Sequence, residues 1–168
     1  MLKPPDQDEY DPYFSIYINL IPDRDIIQFL QAQRSRIHDY FGGLSEEHGE
    51  LRYAPGKWKM KEILAHISDS ERVMCYWMLS IARGDSTKLA GYDQDVFVNR
   101  GSFSVCTFKE LVADFQAVRQ ATLSLLPTIS EKAWLRAGIA VNKEVTARTL
   151  LYVIAGHAEH HLNAILSR

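Results

Sequence analysis

Residues 150–165 read LLYVIAGHAEHHLNAI and predict a helix with one buried face. A helix turns by about 100° per residue, so side chains three and four positions apart lie on the same face. One narrow stripe collects Leu150, Ile154, His157, His161 and Ile165. His157 and His161 therefore point into the core together, one turn apart, whereas His160 points away from them towards the flank.

Three further helices are predicted before this one. The predicted bounds of the four helices are about 23–41, 59–83, 107–126 and 146 to near the C-terminus. Gly42 and Gly43 end the first helix. The third opens with a capping box, in which Thr107 and Glu110 satisfy each other's free backbone N–H groups.

Two long connections, residues 85–106 and 127–145, join the last three helices. Neither connection shows a convincing pair of strands. Four helices of this length in one chain predict an all-α protein, a four-helix bundle with long crossover connections. Connections of more than about a dozen residues often carry function or cover a site.

The first 22 residues predict an extended lead-in segment. Their many apolar side chains are those of a segment that lies along the outside of the core or covers one end of it. The predicted organisation is a single domain, residues 1–168, in which the lead-in (1–22) precedes the bundle (23–168).

The composition is that of a globular protein, with 46% hydrophobic residues, 24% charged residues and a net charge of -2. Basic residues are scattered among acids, so no nucleic-acid partner is expected. The polar N-terminus differs from a signal peptide, and no apolar run reaches the roughly 20 residues that span a bilayer. Cys75 and Cys106 predict reduced, half-buried thiols. We expect a cytoplasmic protein without a membrane partner.

A third histidine, His66, points inward from the second helix. The residues that share its face are Ile63, Val73, Trp77 and Ile81. Three imidazoles from two helices predict a site for one divalent metal ion with a coordination position left for water or substrate. Imidazole binds zinc, nickel, copper, iron and cobalt, so the ligand type does not select the metal. The inward direction of the three histidines does not by itself require a metal. A metal-free cluster of buried histidines is the alternative.

The spacing excludes two other kinds of metal site. Residues 157–161 read HAEHH, which is not the H-E-x-x-H of zincin metalloproteases. A di-iron carboxylate bundle needs Glu-x-x-His on two helices, and the sequence has neither copy. The surviving prediction is a mononuclear site.

Arg119 falls on the inward stripe of the third helix, where an unpaired guanidinium is very costly. It can form an internal ion pair with Glu62, Asp69 or Asp95, or it can anchor the carboxylate of a thiol or substrate. Glu62 and Asp69 lie about one turn before and after His66. Both are also candidates to accept the second N–H of a metal-bound imidazole.

Two more features bear on the surface. Glu159 points away from the stripe of His157 and His161, which predicts a surface position. Residues 91–100 mix aromatic, acidic and amide side chains. Such a segment suits the mouth of a pocket, a dimer contact or a plain loop, and the sequence leaves these open.

Two stretches give the chain a family resemblance, residues 58–71 (WKMKEILAHISDSE) and 156–165 (GHAEHHLNAI). The chain resembles the DinB/YfiT-like superfamily of bacterial metal-binding four-helix bundles. Residues 17–22 (YINLIP) are similar to the lead-in of one branch. The resemblance implies zinc or nickel at His66, His157 and His161, and a homodimer.

The activities that the resemblance implies are diverse. They are transfer of a low-molecular-weight thiol of the bacillithiol or glutathione type to an electrophile, thiol-dependent isomerisation of maleylpyruvate, and metal-dependent hydrolysis. Shared fold does not choose among them.

Two functional hypotheses follow. In the first, the protein is an enzyme whose metal lowers the pKa of a thiol or a water, its partners being a small thiol and an electrophilic substrate. Arg119 would then orient an anionic substrate. In the second, the protein is a non-catalytic stress protein that binds a metal or a small molecule. Room for a substrate beside the metal distinguishes the two.

Overall fold

The computed structural model describes residues 2–167, so Met1 and Arg168, the two ends of the predicted domain, lie outside the described residues. Its helices are α1 (Ser15–Ile18), α2 (Ile26–Gly42), α3 (Met60–Arg83), α4 (Gln94–Arg100), α5 (Phe108–Leu125), α6 (Glu131–Trp134) and α7 (Ala147–Leu166). Strands β1 (Ala137–Ala140) and β2 (Lys143–Thr146) precede α7. The long helices α2, α3, α5 and α7 pack as a bundle, which confirms the predicted fold class.

Side-chain caps explain where the helices begin. The carboxylate of Asp25 accepts hydrogen bonds from the backbone N–H groups of Ile27 and Gln28 at 3.0 Å. Asp25 therefore caps α2, and the helix begins slightly later than the predicted start near residue 23. The predicted capping box of α5 is present. Thr107 N–H donates to Glu110 at 2.7 Å, and Glu110 N–H donates to the Thr107 hydroxyl at 3.2 Å.

Helix α7 is the central helix of the bundle, and its residues 147–159 are buried on every side. It contacts α3, α1 and α2. The predicted surface position of Glu159 is therefore wrong. Gln33 donates to its carboxylate at 2.9 Å, and Arg36 donates to it at 3.1 Å. A residue that points away from the histidines still meets a neighbouring helix, because α7 has no solvent face over most of its length.

Arg119 is completely buried and forms an ion pair with Glu71 on α3. Its Nε donates to Glu71 Oε1 at 2.8 Å, and its Nη2 donates to Glu71 Oε2 at 2.9 Å. The partner differs from the three predicted acids, Glu62, Asp69 and Asp95. Glu71 is five residues after His66, so it turns away from the histidine and towards α5.

The ion pair continues into a chain of hydrogen bonds across the bundle. Arg119 Nη1 donates to the side-chain oxygen of Gln33 on α2 at 3.0 Å. The amide nitrogen of Gln33 in turn donates to Glu159 on α7. One polar chain therefore connects α3, α5, α2 and α7 inside the core.

The sequence predicted an extended lead-in. In the structure this segment folds instead into short helical turns. Residues 7–9 and 12–14 form single 3-10 turns, and α1 follows directly. Phe14 and Ile18 are buried, and α1 packs against α7. A Cβ atom at Gly156 would stand 2.2 Å from the carbonyl oxygen of Tyr17. Only glycine at position 156 allows the two backbones to approach this closely.

A β-hairpin, which the sequence did not predict, occupies the connection before α7. Strands β1 and β2 are antiparallel, and Ala140 pairs with Lys143. The two turn residues, Val141 and Asn142, both have positive φ, 51° and 62°. Such turns usually contain Asn-Gly, and valine is rare in them. Because the turn here is Val141-Asn142, the sequence lacked the usual signal for a hairpin. Leu89 fixes the hairpin by backbone hydrogen bonds of 2.9 and 3.0 Å to Ile139 and Val141.

Two smaller expectations concern the thiols and membranes. Cys75 and Cys106 are both free and half-buried, as predicted. Burial raises the pKa of the Cys75 thiol. Within residues 2–167, each helix is too short or too polar to cross a membrane.

Glu71→Ala tests the buried ion pair. The change leaves the guanidinium of Arg119 charged and unpaired in the core, so we expect the free energy of unfolding to fall by about 3–5 kcal/mol in urea denaturation. The control is Asp114→Ala, which removes a surface partner of the half-exposed Arg72 and should cost at most about 1 kcal/mol. The pair Glu71→Leu with Arg119→Met should recover most of the loss. Equal losses from the two alanine variants would contradict the assignment.

Candidate metal centre

The packing of α3 against α7 brings His66, His157 and His161 together. One ring nitrogen from each lies within 4.8 Å of the other two. The Nε2 atoms of His66 and His157 are 3.1 Å apart. The inward facing predicted for the three histidines is thus observed, while their role as metal ligands stays a prediction.

The three rings are held in the neutral form. Burial lowers the pKa of His66 to about 4. Burial, and then the neighbouring His66 and His160, lower the pKa of His161 to about 3. The pKa of His157 lies well below its ordinary value for the same reason, burial first and the other histidines second. Neutral imidazoles have free lone pairs at neutral pH, as metal ligands require.

The donor set fits a divalent ion. Two nitrogens bound to zinc at about 2.0–2.1 Å in tetrahedral geometry stand roughly 3.3 Å apart, close to the separation of the His66 and His157 nitrogens. Three imidazoles of this kind also suit nickel. The three residues therefore fit a mononuclear site in the type and number of donors, with one pair of nitrogens near the zinc spacing and all three within 4.8 Å of one another.

Among the described residues, neither Glu62 nor Asp69 forms a hydrogen bond with His66. Glu62 accepts the backbone N–H of Lys59 at 2.6 Å, and Asp69 accepts a hydrogen bond from Arg72 at 3.2 Å. The group beside His66 is Ser70, whose Oγ is 3.3 Å from the ring Nδ1. Ser70 follows His66 by four residues, so the helical spacing that placed the histidines could have found it.

Two aromatic side chains enclose the histidines, and sequence reasoning assigned a role to neither. The centroid of Trp58 is 4.5 Å from that of His66, and its ring lies nearly parallel to that of His161 at 6.3 Å. Tyr17 on α1 meets His157 edge-on at 5.5 Å. The available signals were the apolar character of the lead-in and Gly156, because a glycine inside a helix often marks a close packing contact.

Two cavities adjoin the centre, and Tyr17 lines both of them. The polar cavity has a volume of about 310 Å³. Its wall includes His157 and His161, and other polar side chains in it include Lys57, Gln94, Asp95 and His160. The apolar cavity has a volume of about 350 Å³ and shares Tyr17, Gln94 and His157 with the polar one. Residues 92–95 of the segment 91–100 therefore line the two cavities, which agrees with one of the alternatives predicted for that segment.

Arg119 lines neither cavity, so the predicted substrate anchor is corrected to an internal ion pair. Its guanidinium is 0% exposed, and its three nitrogens donate to Glu71, Gln33 and the carbonyl of Leu30. A substrate could reach it only if this part of the core opened.

Comparisons with known proteins agree with the fold. A provisionally named metal-dependent hydrolase of Oceanobacillus iheyensis is 22% identical over 135 residues, which cover 79% of this chain and 77% of the relative. The solved structure of YfiT from Bacillus subtilis superposes with a TM-score of 0.78 at 14% identity and covers 91% of this chain and 95% of YfiT. YfiT is described as a four-helix bundle of unusual topology and is likewise assigned provisionally as a metal-dependent hydrolase.

The family profile described as the DinB superfamily matches residues 29–165. This match contains all of α3 and α5, most of α2 and α7, and the three clustered histidines. The chain belongs to the DinB superfamily.

Proposed function

We propose that this protein is a metal-dependent enzyme that holds one divalent ion, zinc or nickel, at His66, His157 and His161. One observation carries the proposal: two buried imidazoles, His66 and His157, and the partly buried imidazole of His161 stand within 4.8 Å of one another beside a cavity of about 310 Å³. A purely structural histidine cluster needs no cavity next to it. The cavity is in the size range of pockets for small organic molecules.

A divalent ion at this position supplies Lewis-acid chemistry, because it lowers the pKa of a bound water or thiol and polarises a carbonyl group. The protein supplies the surroundings. Trp58 and Tyr17 pack against the rings of His66 and His157 and cover part of their surface. The low pKa values of the three histidines leave them neutral, so they do not serve as acids near neutral pH.

Hydrolysis is the first candidate reaction, and the provisional names of both relatives support it. Hydrolysis by water needs a group that takes a proton. Asp95 on α4 lines the same cavity as His157 and His161. Its carboxylate is our candidate for the group that accepts the proton. Lys57 and His160, on the same wall, offer N–H donors to an anionic or carbonyl oxygen of the substrate.

Thiol transfer is the second candidate, and a different observation favours it. Two cavities meet at His157, so the centre has room for two reactants. Transfer of a low-molecular-weight thiol of the bacillithiol or glutathione type to an electrophile requires two organic reactants, whereas hydrolysis requires one. Lys57 could bind the carboxylate of such a thiol in the polar cavity.

Metal content tests the site itself. Purified protein should bind up to one zinc or nickel ion per chain, and His157→Ala should abolish binding because it removes a buried ligand. His160→Ala is the matched control on the same helix and should leave the metal content nearly intact. Metal should also raise the melting temperature. At a hundredfold excess of metal over the Kd, the free energy of unfolding should increase by about 2.7 kcal/mol. Equal loss of metal from the two variants would contradict the ligand assignment.

The pH dependence of stability tests the burial of the imidazoles. The pKa values of His66 and His161 in the folded protein, about 4 and about 3, lie below the ordinary value near ~6.5. The unfolded chain therefore takes up protons first as the pH falls. The free energy of unfolding of metal-free protein should be level above pH ~7 and should decrease from pH ~6.5 towards pH ~5.

His161→Gln should flatten this slope, because one of the groups that causes it is gone. His38→Gln is the control, since His38 is exposed on α2 and lies outside the histidine cluster. A slope that is the same in all three proteins, measured by urea denaturation at each pH, would show that the imidazoles titrate normally.

Activity assays distinguish the reactions. Zinc- and nickel-loaded protein should be incubated with activated esters and amides, and separately with halogenated or epoxide electrophiles with and without a thiol. Turnover that needs no thiol identifies a hydrolase, and turnover that needs one identifies a transferase. Either activity should vanish with a chelator and in His66→Ala, and should persist in His38→Ala. Metal bound without turnover of either kind would favour the non-catalytic binding protein.

A further inference from the structure

The apolar cavity differs in character from the polar one. Its wall contains Phe14 from the lead-in, Met74 and Trp77 from α3, and Val153 from α7. A space lined in this way gains stability when an apolar group replaces the water in it. Its contents are in contact with the centre, because His157 belongs to the walls of both cavities.

The size of the cavity limits what it can hold. An engineered apolar cavity of about 150 Å³ is enough to bind benzene. The cavity here has about 350 Å³, so a substituted ring fits with space to spare. Aromatic rings and a methionine sulfur in the wall make favourable contacts with a ring, which favours an aryl group over a short alkyl chain.

The wall of this cavity also contains polar side chains, with Tyr13, Asp93 and Gln94 among them. Two further polar groups lie beside the histidines. Ser70 and Tyr92 line it and hydrogen-bond to each other, and Ser70 also contacts His66. An occupant is therefore oriented, with its apolar part among Met74 and Trp77 and its polar part towards the imidazoles.

Val141 in the β-hairpin turn adds an independent observation. A β-branched residue at a φ of 51° is strained, and asparagine or glycine would relieve the strain. Val141 nevertheless lines the apolar cavity, and its Cγ1 packs so closely on Gly91 that a Cβ there would be 2.4 Å away. The strained residue thus supplies an apolar side chain to the cavity wall.

We propose that the apolar cavity is a subsite for an aryl group, so that the substrate is an amphipathic aromatic compound whose polar, reacting end lies at the three histidines. This inference rests on the proposed function, since it places the reacting end at the metal. It is more specific, because neither hydrolysis nor thiol transfer requires an aryl substrate.

Two chelating probes that differ only in the aryl group test the subsite. Zinc-loaded protein should be titrated by calorimetry with acetohydroxamate and with phenylacetohydroxamate. Burial of the phenyl group should make the second bind roughly ten- to a hundredfold more tightly. Equal affinities for the two probes, with zinc bound, would overturn the subsite and leave the metal site standing. Failure of zinc to bind would overturn the proposed function, and the subsite with it.

Variants place the effect in this cavity. Val141→Asn should reduce the preference for the aryl probe while the melting temperature stays the same or rises, because asparagine accepts the positive φ. Met74→Gln, a change of similar volume, should reduce the preference as well. Val105→Asn is the matched control, since Val105 is 81% exposed and lines neither cavity. A preference that survives both cavity variants would overturn this placement of the aryl group.

Discussion

The buried guanidinium of Arg119 is the constraint on which the arrangement of the four long helices depends. A charge this deep must be paired, and it is paired by Glu71 on α3. The hydrogen bonds continue through Gln33 on α2 to Glu159 on α7. Each long helix therefore contributes a side chain to one polar chain, and a shift of any helix would leave a buried polar group without its partner.

This polar chain also positions the histidines. Glu71 is little more than one turn from His66 on α3, and Glu159 lies between His157 and His161 on α7. The polar chain thus fixes the position of α3 along α7 close to the point where the imidazoles meet. Two fully buried rings and the partly buried ring of His161 can pack there because each is neutral and a nitrogen of each lies near the other two.

The walls around the histidines come from short segments outside the four long helices. Tyr17 arrives on a four-residue helix, and Gly156 lets that helix approach α7. Val141 comes from a short hairpin that Leu89 holds in place. The bundle supplies the rigid histidines, and the connections supply the surfaces that a substrate would meet. This division is common where binding residues stand on loops over a rigid scaffold.

Much of the fold could be predicted because it depends on local sequence. Helical periodicity placed the four long helices to within a few residues and brought His66, His157 and His161 to one core. The capping box of Thr107 and Glu110 was found because its two residues are three positions apart. These features depend on neighbours within one turn, and such spacing is fixed by the geometry of the helix.

The sequence by itself determined the class of fold and the inward face that carries the histidines. Only the tertiary structure decided that Glu71, rather than Glu62, Asp69 or Asp95, meets Arg119. It also decided that Glu159 is buried, because that depends on how many helices surround α7. The hairpin and the fold of the lead-in were decided in the same way. Their short segments have weak local preferences, and contacts with residues distant in the chain select their conformation.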